Sequence, residues 1–272
     1  MADFLSREFP MTETNFQSIA KIAYEVTGIV LGEHKKDLVY SRISRRIRSL
    51  KLHNFDEYIN VIEDNNSSEF TSFVNSITTN LTSFFREPHH FDFLKETALP
   101  ALKKKGKTPL IWSAGCSTGE EPYSIAMTLD NFYGGNTFGG AKILATDLDS
   151  NVIDTGRCGI YDASRIEALD TKIKQKYFKH LNDEVAVSDK LKPVIQFNRL
   201  NLLGPWPMKK KFDIIFCRNV IIYFNKETQL ELFKRYQDAL NPNGYLIIGH
   251  SENLHGVTDN FISLGKTIYQ KK

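Results

Sequence analysis

Three places in this 272-residue chain put ligand-capable side chains just after an apolar, strand-like run. The first is Leu110 to Asp130, LIWSAGCSTGEEPYSIAMTLD, where a short apolar run turns through small residues, Ser113 to Gly119, into a helix beginning Glu120, Glu121, Pro122. Strand, small-residue loop and helix N-terminus is how a parallel α/β sheet receives a nucleotide-like ligand at its carboxyl edge. Gly115 and Gly119 let the backbone turn tightly and a ligand approach without a Cβ in the way. The second place is Asp147, closing the run Lys142 to Thr146. A carboxylate at that point accepts two hydrogen bonds from a ribose diol. Asp149 and Ser150 read instead as the cap of the next helix. The third is Cys217-Arg218-Asn219, which closes the apolar strand Phe212 to Phe216.

The chemistry this set excludes is informative. The two glycines are four residues apart, so the loop is not G-x-G-x-x-G, and no GK[ST] occurs. A nucleoside cofactor without a pyrophosphate, such as S-adenosylmethionine, fits the missing phosphate machinery better; a tight βα turn that holds no ligand is the plain alternative. The general methyltransferase loop carries an acid two residues before its first glycine, where this chain has Ser113. No Ser-His-Asp or Cys-His set is evident. His89 and His90 are adjacent without a nearby ligand pattern, so no metal is assigned, and His250 reads as a structural or supporting residue. Cys116, Cys158 and Cys217 form no CxxC pair and are expected to be reduced thiols in a cytosolic protein.

The elements that must position these residues fall into two regions. Residues 12 to 90 read as helical. Phe16, Ile19, Ile22, Ala23 and Val26 form one apolar stripe; Val39, Ile43, Ile47 and Leu50 form a second; Phe55, Tyr58, Ile59, Ile62 and then Phe70, Phe73, Val74, Ile77 suggest two more helices. From His34 to His53 seven Lys/Arg stand against one acid, inside an otherwise acidic region. Arg42, Arg45 and Arg48 lie away from the apolar stripe and Arg46 at its edge. Such a helix can steer and orient an acidic partner, and with few interleaved aromatics an acidic protein surface ranks above nucleic acid. From Leu110 onward strands and helices alternate, as in a parallel α/β sheet. Glu184 to Ser188 and Val194 to Phe197 read as a small hairpin insert, and Thr267 to Gln270 as a closing antiparallel edge strand. The net charge of +3 is too small to mark a nucleic-acid binder by bulk charge. The N-terminus has no apolar signal segment, and no run reaches the roughly 20 apolar residues of a spanning helix. A soluble, cytoplasmic protein is expected.

Four motifs in order, TTNLTSFFRE (78 to 87), WSAGCSTGEEPYS (112 to 124), FDIIFCRNVIIYF (212 to 224) and GHSEN (249 to 253), resemble the CheR family of chemotaxis receptor-glutamate methyltransferases over nearly the whole chain. The resemblance implies an all-α N-terminal domain (1–90) and a Rossmann-like class I methyltransferase domain (91–272), an α/β fold with a small β-hairpin insert near 177–198. It implies transfer of a methyl group from S-adenosyl-L-methionine to glutamate carboxylates on the cytoplasmic helical bundle of chemoreceptors, the methyl-accepting chemotaxis proteins. The products are the glutamate methyl ester and S-adenosyl-L-homocysteine.

By matching positions, Asn80, Thr82 and Arg86 close over the methionine end of the cofactor. Gly115 and Glu121 line it, Asp147 holds the ribose, Asn201 and Leu202 flank the adenine, and Arg218 and Asn219 approach from the fourth strand. Arg86 and Tyr223 are the implied catalytic residues, and Arg42, Arg45, Arg46 and Arg48 the implied receptor-docking set. The resemblance further implies a monomer recruited to receptor arrays, with no metal, no nucleic acid and no membrane insertion. Some relatives use a longer, Gly-rich insert to hold a receptor tail. Here Lys179 to Lys192 contains no glycine, so direct recognition through the basic helix is the expected mode. The rivals are a nucleic-acid methyltransferase, suggested by the Arg-rich helix, and an adaptor that binds cofactor without transfer.

Overall fold

The computed structural model describes residues 7–64, 67–135, 138–254 and 260–272. It divides into two compact units: one runs to Thr79 and takes in Tyr223–Asn225, and the other comprises Asn80–Ile222 and Lys226–Lys272. The division falls at Thr79/Asn80, whereas the sequence reading puts the boundary at 90, so the NLTSFFR stretch folds with the second unit. No helix among the described residues is long and apolar enough to cross a membrane.

Among its described residues the first unit has four α-helices, α1 (Glu13–Thr27), α2 (Lys36–Leu50), α3 (Phe55–Glu63) and α4 (Ser68–Ile77). Their starts follow from short polar caps. Thr12 and Asn15 form a reciprocal capping box on α1, Asn54 accepts the N–H of Glu57, and Ser67 that of Phe70. The apolar stripes meet in a core of Phe16, Ile19, Val39, Ile43, Ile47, Tyr58, Ile62 and Phe73. Leu50, expected on that face, is exposed because α2 ends there and the chain turns through Lys51 in the left-handed region. Two of the arginines on α2 hold the unit together. Arg46 grips Glu69 of α4 through both carboxylate oxygens, Nε–Oε1 being 2.8 Å, and Glu69 also accepts the Tyr58 hydroxyl at 2.9 Å. Arg42 donates to the carbonyls of Ser76 (3.0 Å) and Thr78 (2.7 Å), satisfying the orphan acceptors at the end of α4.

In the second unit, α5 (His89–Phe93), a π turn (Leu94–Ala98) and α6 (Leu99–Lys104) form one rod. There follow β1 (Leu110–Ala114), α7 (Glu120–Tyr133), β2 (Lys142–Asp147), α8 (Ser150–Cys158), β3 (Ile160–Asp162), α9 (Thr171–Tyr177), β4 (Phe178–Leu181), β5 (Glu184–Val187), β6 (Ile195–Arg199), β7 (Phe212–Cys217), α10 (Lys226–Ala239), β8 (Leu240–Ile248), β9 (Phe261–Gly265) and β10 (Ile268–Lys271). The main sheet runs β6-β2-β1-β7-β8-β10-β9, parallel as far as β8, with β10 antiparallel to β8 and β9. This is the Rossmann-like α/β fold, with a separate small sheet β3-β5-β4 inserted.

Two expectations are corrected. The insert hairpin is β4 with β5, turned at Asn182, and Ile195–Arg199 is a core strand paired in parallel with β2, not part of the insert. The 3-10 turn Asp189–Val194, which carries Pro193, redirects the chain back to the main sheet, where Phe197 packs on Tyr123 of α7. Thr267 to Gln270 is likewise not the edge. The tight turn at Lys266 and Thr267, both at positive φ, pairs β10 with β9, and β9 takes the edge.

Candidate cofactor site at the carboxyl edge of the sheet

β1 lies between β2 and β7, so the connections leaving their carboxyl ends diverge and open a crevice at that edge. The loop after β1 is pinned by the N–H groups of Gly115 (2.8 Å) and Cys116 (2.9 Å), both donating to the Thr146 carbonyl. Gly115 has φ 89°, and a Cβ on it would stand 2.3 Å from Val220 Cγ2. At Gly119, with φ 100°, a Cβ would stand 2.9 Å from the Gly156 backbone. Both glycines are therefore demanded by geometry. Gly115→Ala should destabilise the domain by about 1–3 kcal/mol from the left-handed backbone alone, read as a lowered melting temperature; an unchanged one would contradict this loop conformation.

Asp147, at the end of β2, accepts the N–H of Ser117 (2.8 Å) and of Asp149 (3.1 Å). Burial pushes its carboxyl up to about 6, despite these two donors. Asp149 takes the capping role, accepting the N–H of Asn151 at 2.9 Å and a hydrogen bond from Asn80 Nδ2 at 2.8 Å. Asn80 in turn accepts the Ser117 hydroxyl on its carbonyl at 3.1 Å. The segment Asn80 to Arg86 thus begins on the Gly115–Gly119 loop. It continues with Leu81, 76% exposed, and half-buried Thr82, and is anchored by Phe84, edge-on to Tyr161 and Phe178 at 5.2 and 5.1 Å. The N–H of Phe85 donates to Ser124 on α7, 2.9 Å. This is a strap over α7, closed on itself by Arg86 donating to the Leu81 carbonyl at 2.8 Å.

Glu121 and Arg218 form the polar centre behind that strap. Glu121 accepts the Ser113 hydroxyl (2.7 Å) and pairs with Arg218 (3.1 Å). Ser113, standing where the general loop has an acid, is thus the donor that orients Glu121. Burial raises the Glu121 carboxyl above the usual range even against the pull of Arg218. Arg218, whose side chain is 3% exposed, also pairs with Glu87 at 3.3 Å and donates to the Arg86 carbonyl. Burial would raise the Glu87 carboxyl, but the His250 hydrogen bond (2.7 Å) and the Arg218 charge overcome it and hold it at about 2. His90 is pushed down to about 4 by burial and then by the Arg218 charge.

Asn219 sits at φ 59° with its N–H on Glu252 at 3.0 Å. Leu202 is buried, its carbonyl accepting from Trp206 (3.0 Å) and Arg235 (2.7 Å), and the side chain of Asn201 turns the same loop by accepting the N–H of Leu203 at 3.0 Å. Tyr223 groups with the helical unit, where its carbonyl accepts from Val30 (3.0 Å) and Lys35 lies 5.0 Å from its ring. Of the four arginines of α2, Arg48 pairs at the surface with Glu8, and among the described residues Arg45 makes no ion pair. Sequence reasoning missed three acids. Glu87 is one. Glu252, in GHSEN, accepts four N–H groups, from Gly249 (2.6 Å), Asn219 (3.0 Å), Ile221 (2.8 Å) and Ile222 (3.3 Å), and so fixes the loop after β7. Glu120 is fully buried against Thr118 and Arg165. All three stand inside or beside quoted motifs, which was the available signal.

The residues suit a nucleoside: an acceptor-only carboxylate at Asp147 for a diol, glycine backbone at the loop, and, among the described residues, no cluster of donors for a pyrophosphate at this edge. The family described as "CheR methyltransferase, SAM binding domain" matches residues 80–270, and "CheR methyltransferase, all-alpha domain" matches residues 14–78. The chain is similar to the chemotaxis protein methyltransferase of Escherichia coli K12, 41% identical over 97% of this chain and 93% of that one. It is likewise similar to chemotaxis protein methyltransferase 2 of Pseudomonas aeruginosa, 42% identical over 98% and 96%. Among solved structures it overlaps PKMT2 from Rickettsia typhi in complex with AdoHcy at a TM-score of 0.32 and 21% identity, over 52% of this chain and 20% of that one.

Proposed function

This chain belongs to the CheR methyltransferase family, with S-adenosylmethionine as its cofactor, and from that premise we propose that its substrate is the glutamate side chain of chemoreceptors. The product is a glutamate methyl ester that sets chemotactic adaptation, made in the cytoplasm where receptor arrays present their helical bundles. What carries the reading is the gathering of the strap, the Gly115 loop, Asp147 and the Glu121–Arg218 pair around one sheet edge, with no nucleophile–base set among them.

A glutamate carboxylate has a reference pKa of ≈ 4.3 and is already ionised at neutral pH, so the enzyme needs no general base. The bound cofactor supplies a methyl group activated by its sulfonium. The chain's residues bind, align and exclude water. Asp147 accepts the ribose hydroxyls, Glu121 held by Ser113 and Arg218 faces the amino-acid end, and Arg86 orients a carboxylate through its planar fork. Thr82 and Asn80 close the strap, Asn201 and Leu202 border the base, and Asn219 completes the reacting end. Alignment of this kind can supply roughly 7–11 kcal/mol of the barrier.

For docking, Arg42 and Arg46 serve mainly inside the helical unit, so recognition of the acidic receptor surface falls chiefly to Arg45 and Arg48. Labelled cofactor and receptor-bearing membranes should yield a base-labile methyl ester. Arg45→Glu with Arg48→Glu should cut that label at least tenfold while cofactor affinity stays within twofold, on the expectation that a like-charge juxtaposition costs several kcal/mol. Base-stable label, or label on nucleic acid, would contradict the reading.

A further inference from the structure

The strap ends in a turn with an uncommon backbone. Phe85 and Glu87 both adopt positive φ, 52° and 56°, a state that costs of order 1–3 kcal/mol in residues with a side chain and that clusters at functional sites. The turn delivers the Glu87 carboxylate, 10% exposed, to the fully buried ring of His90. His90 Nε2 lies 3.0 Å from the Lys266 carbonyl oxygen. A carbonyl only accepts, so Nε2 carries the proton, and in the neutral ring Nδ1 is a bare lone pair. That lone pair faces Glu87 Oε2 at 3.4 Å, and neither atom has a hydrogen-bond partner. Two buried acceptors meeting in this way are relieved by a cation between them, beyond the Arg218 guanidinium that stands 3.3 Å from Oε2.

The spacing suits one. Ligands at 2.0–2.1 Å from a tetrahedral zinc stand about 3.3 Å apart. His89 brings a third donor, and the three ligand atoms of Glu87, His89 and His90 all lie within 4.8 Å of one another. The outer contacts are also those of a metal centre. A ligating histidine donates its other N–H to a carbonyl, and a ligating carboxylate is itself hydrogen-bonded. His90 has Lys266 for the first, and Glu87 has His250 Nδ1 at 2.7 Å on its other oxygen.

We propose that Glu87, His89 and His90 form a binding site for a divalent transition-metal ion of the zinc class, with one coordination position left open. Two imidazoles and one carboxylate favour zinc over magnesium or calcium. Half-buried His89 swings inward to close the set. The Arg218 guanidinium, 3.3 Å from Oε2, is the competing cation, so occupancy trades against the Arg218–Glu87 contact. An occupied site ties the end of the strap to the β9–β10 turn.

The test uses the tag-free, chelator-treated full chain titrated with Co2+ and then Zn2+. Expected are one Co2+ per chain with the intense visible absorption of four-coordinate cobalt, its displacement by Zn2+, and a melting temperature that rises with Zn2+. Both signals should fall more than tenfold in His89→Gln, whose half-buried position leaves the fold intact, and persist in His180→Gln on the exposed insert. His90→Asn should also abolish them, though its buried ring leaves His89→Gln as the decisive variant. A six-coordinate aquo spectrum, or binding equal in wild type and His89→Gln, would overturn the site and leave a proton as the bridge between His90 and Glu87.

Discussion

Replacing Arg218 with methionine is expected to cost about 3–5 kcal/mol of stability, the loss seen when one partner of a buried ion pair is removed and the other is left charged. Here two carboxylates, Glu121 and Glu87, lose the same guanidinium, and the Arg86 carbonyl loses its donor. In a chain of this size that loss should lower the melting temperature by on the order of 10 °C, and cofactor affinity should fall with it because Glu121 and the end of the strap lose their common anchor. Adding Glu121→Gln should restore part of the stability by neutralising one orphaned carboxylate, with a coupling measurable in a double-mutant cycle. If Arg218→Met weakened cofactor binding at unchanged melting temperature, Arg218 would be a ligand contact and not the clasp described here.

Asp147→Ala is expected to weaken cofactor binding by roughly 10²–10⁴-fold in calorimetry, taking about 1.5–3 kcal/mol for each of two hydrogen bonds to a charged acceptor. The raised carboxyl adds a pH signature. With its value near 6 in the free protein, Asp147 is ionised at neutrality, and wild-type affinity should be flat above that value. Below about pH 6 affinity should fall about tenfold per unit, because binding must first release the proton. For the free protein the sign is opposite. A carboxyl raised in the folded state contributes stability below the ordinary carboxylate range, and that contribution is lost as pH rises through about 6. Asp147→Asn should remove the affinity slope; an unchanged slope would assign it to another group.

The parts legible in sequence were those set by local rules. Asp147 is legible as the acid at the end of β2 because a strand-end position after a glycine turn is set locally, and the four helices of the first unit because their apolar stripes repeat at helical spacing. The parts not legible depended on partners far along the chain. Arg46 reads as an arginine at the edge of the apolar stripe within a docking set, yet its partner Glu69 lies on another helix. Glu87 closed the FFRE motif unremarked because its partners, Arg218 and His250, are more than a hundred residues away. Val194 to Phe197 reads as part of the insert because an apolar run after a hairpin-like segment has no local mark of which sheet it joins; the pairing of Ile195–Arg199 with β2 decides it.

On the proposed function, this chain forms glutamate methyl esters by positioning alone. The most direct test is the rate of base-labile ester formation on receptor at saturating cofactor, followed from about neutrality into the alkaline range. With the acceptor carboxylate already ionised, the rate should be level across that range. A rate that climbs with an apparent pKa inside it would reveal a general base and contradict the account.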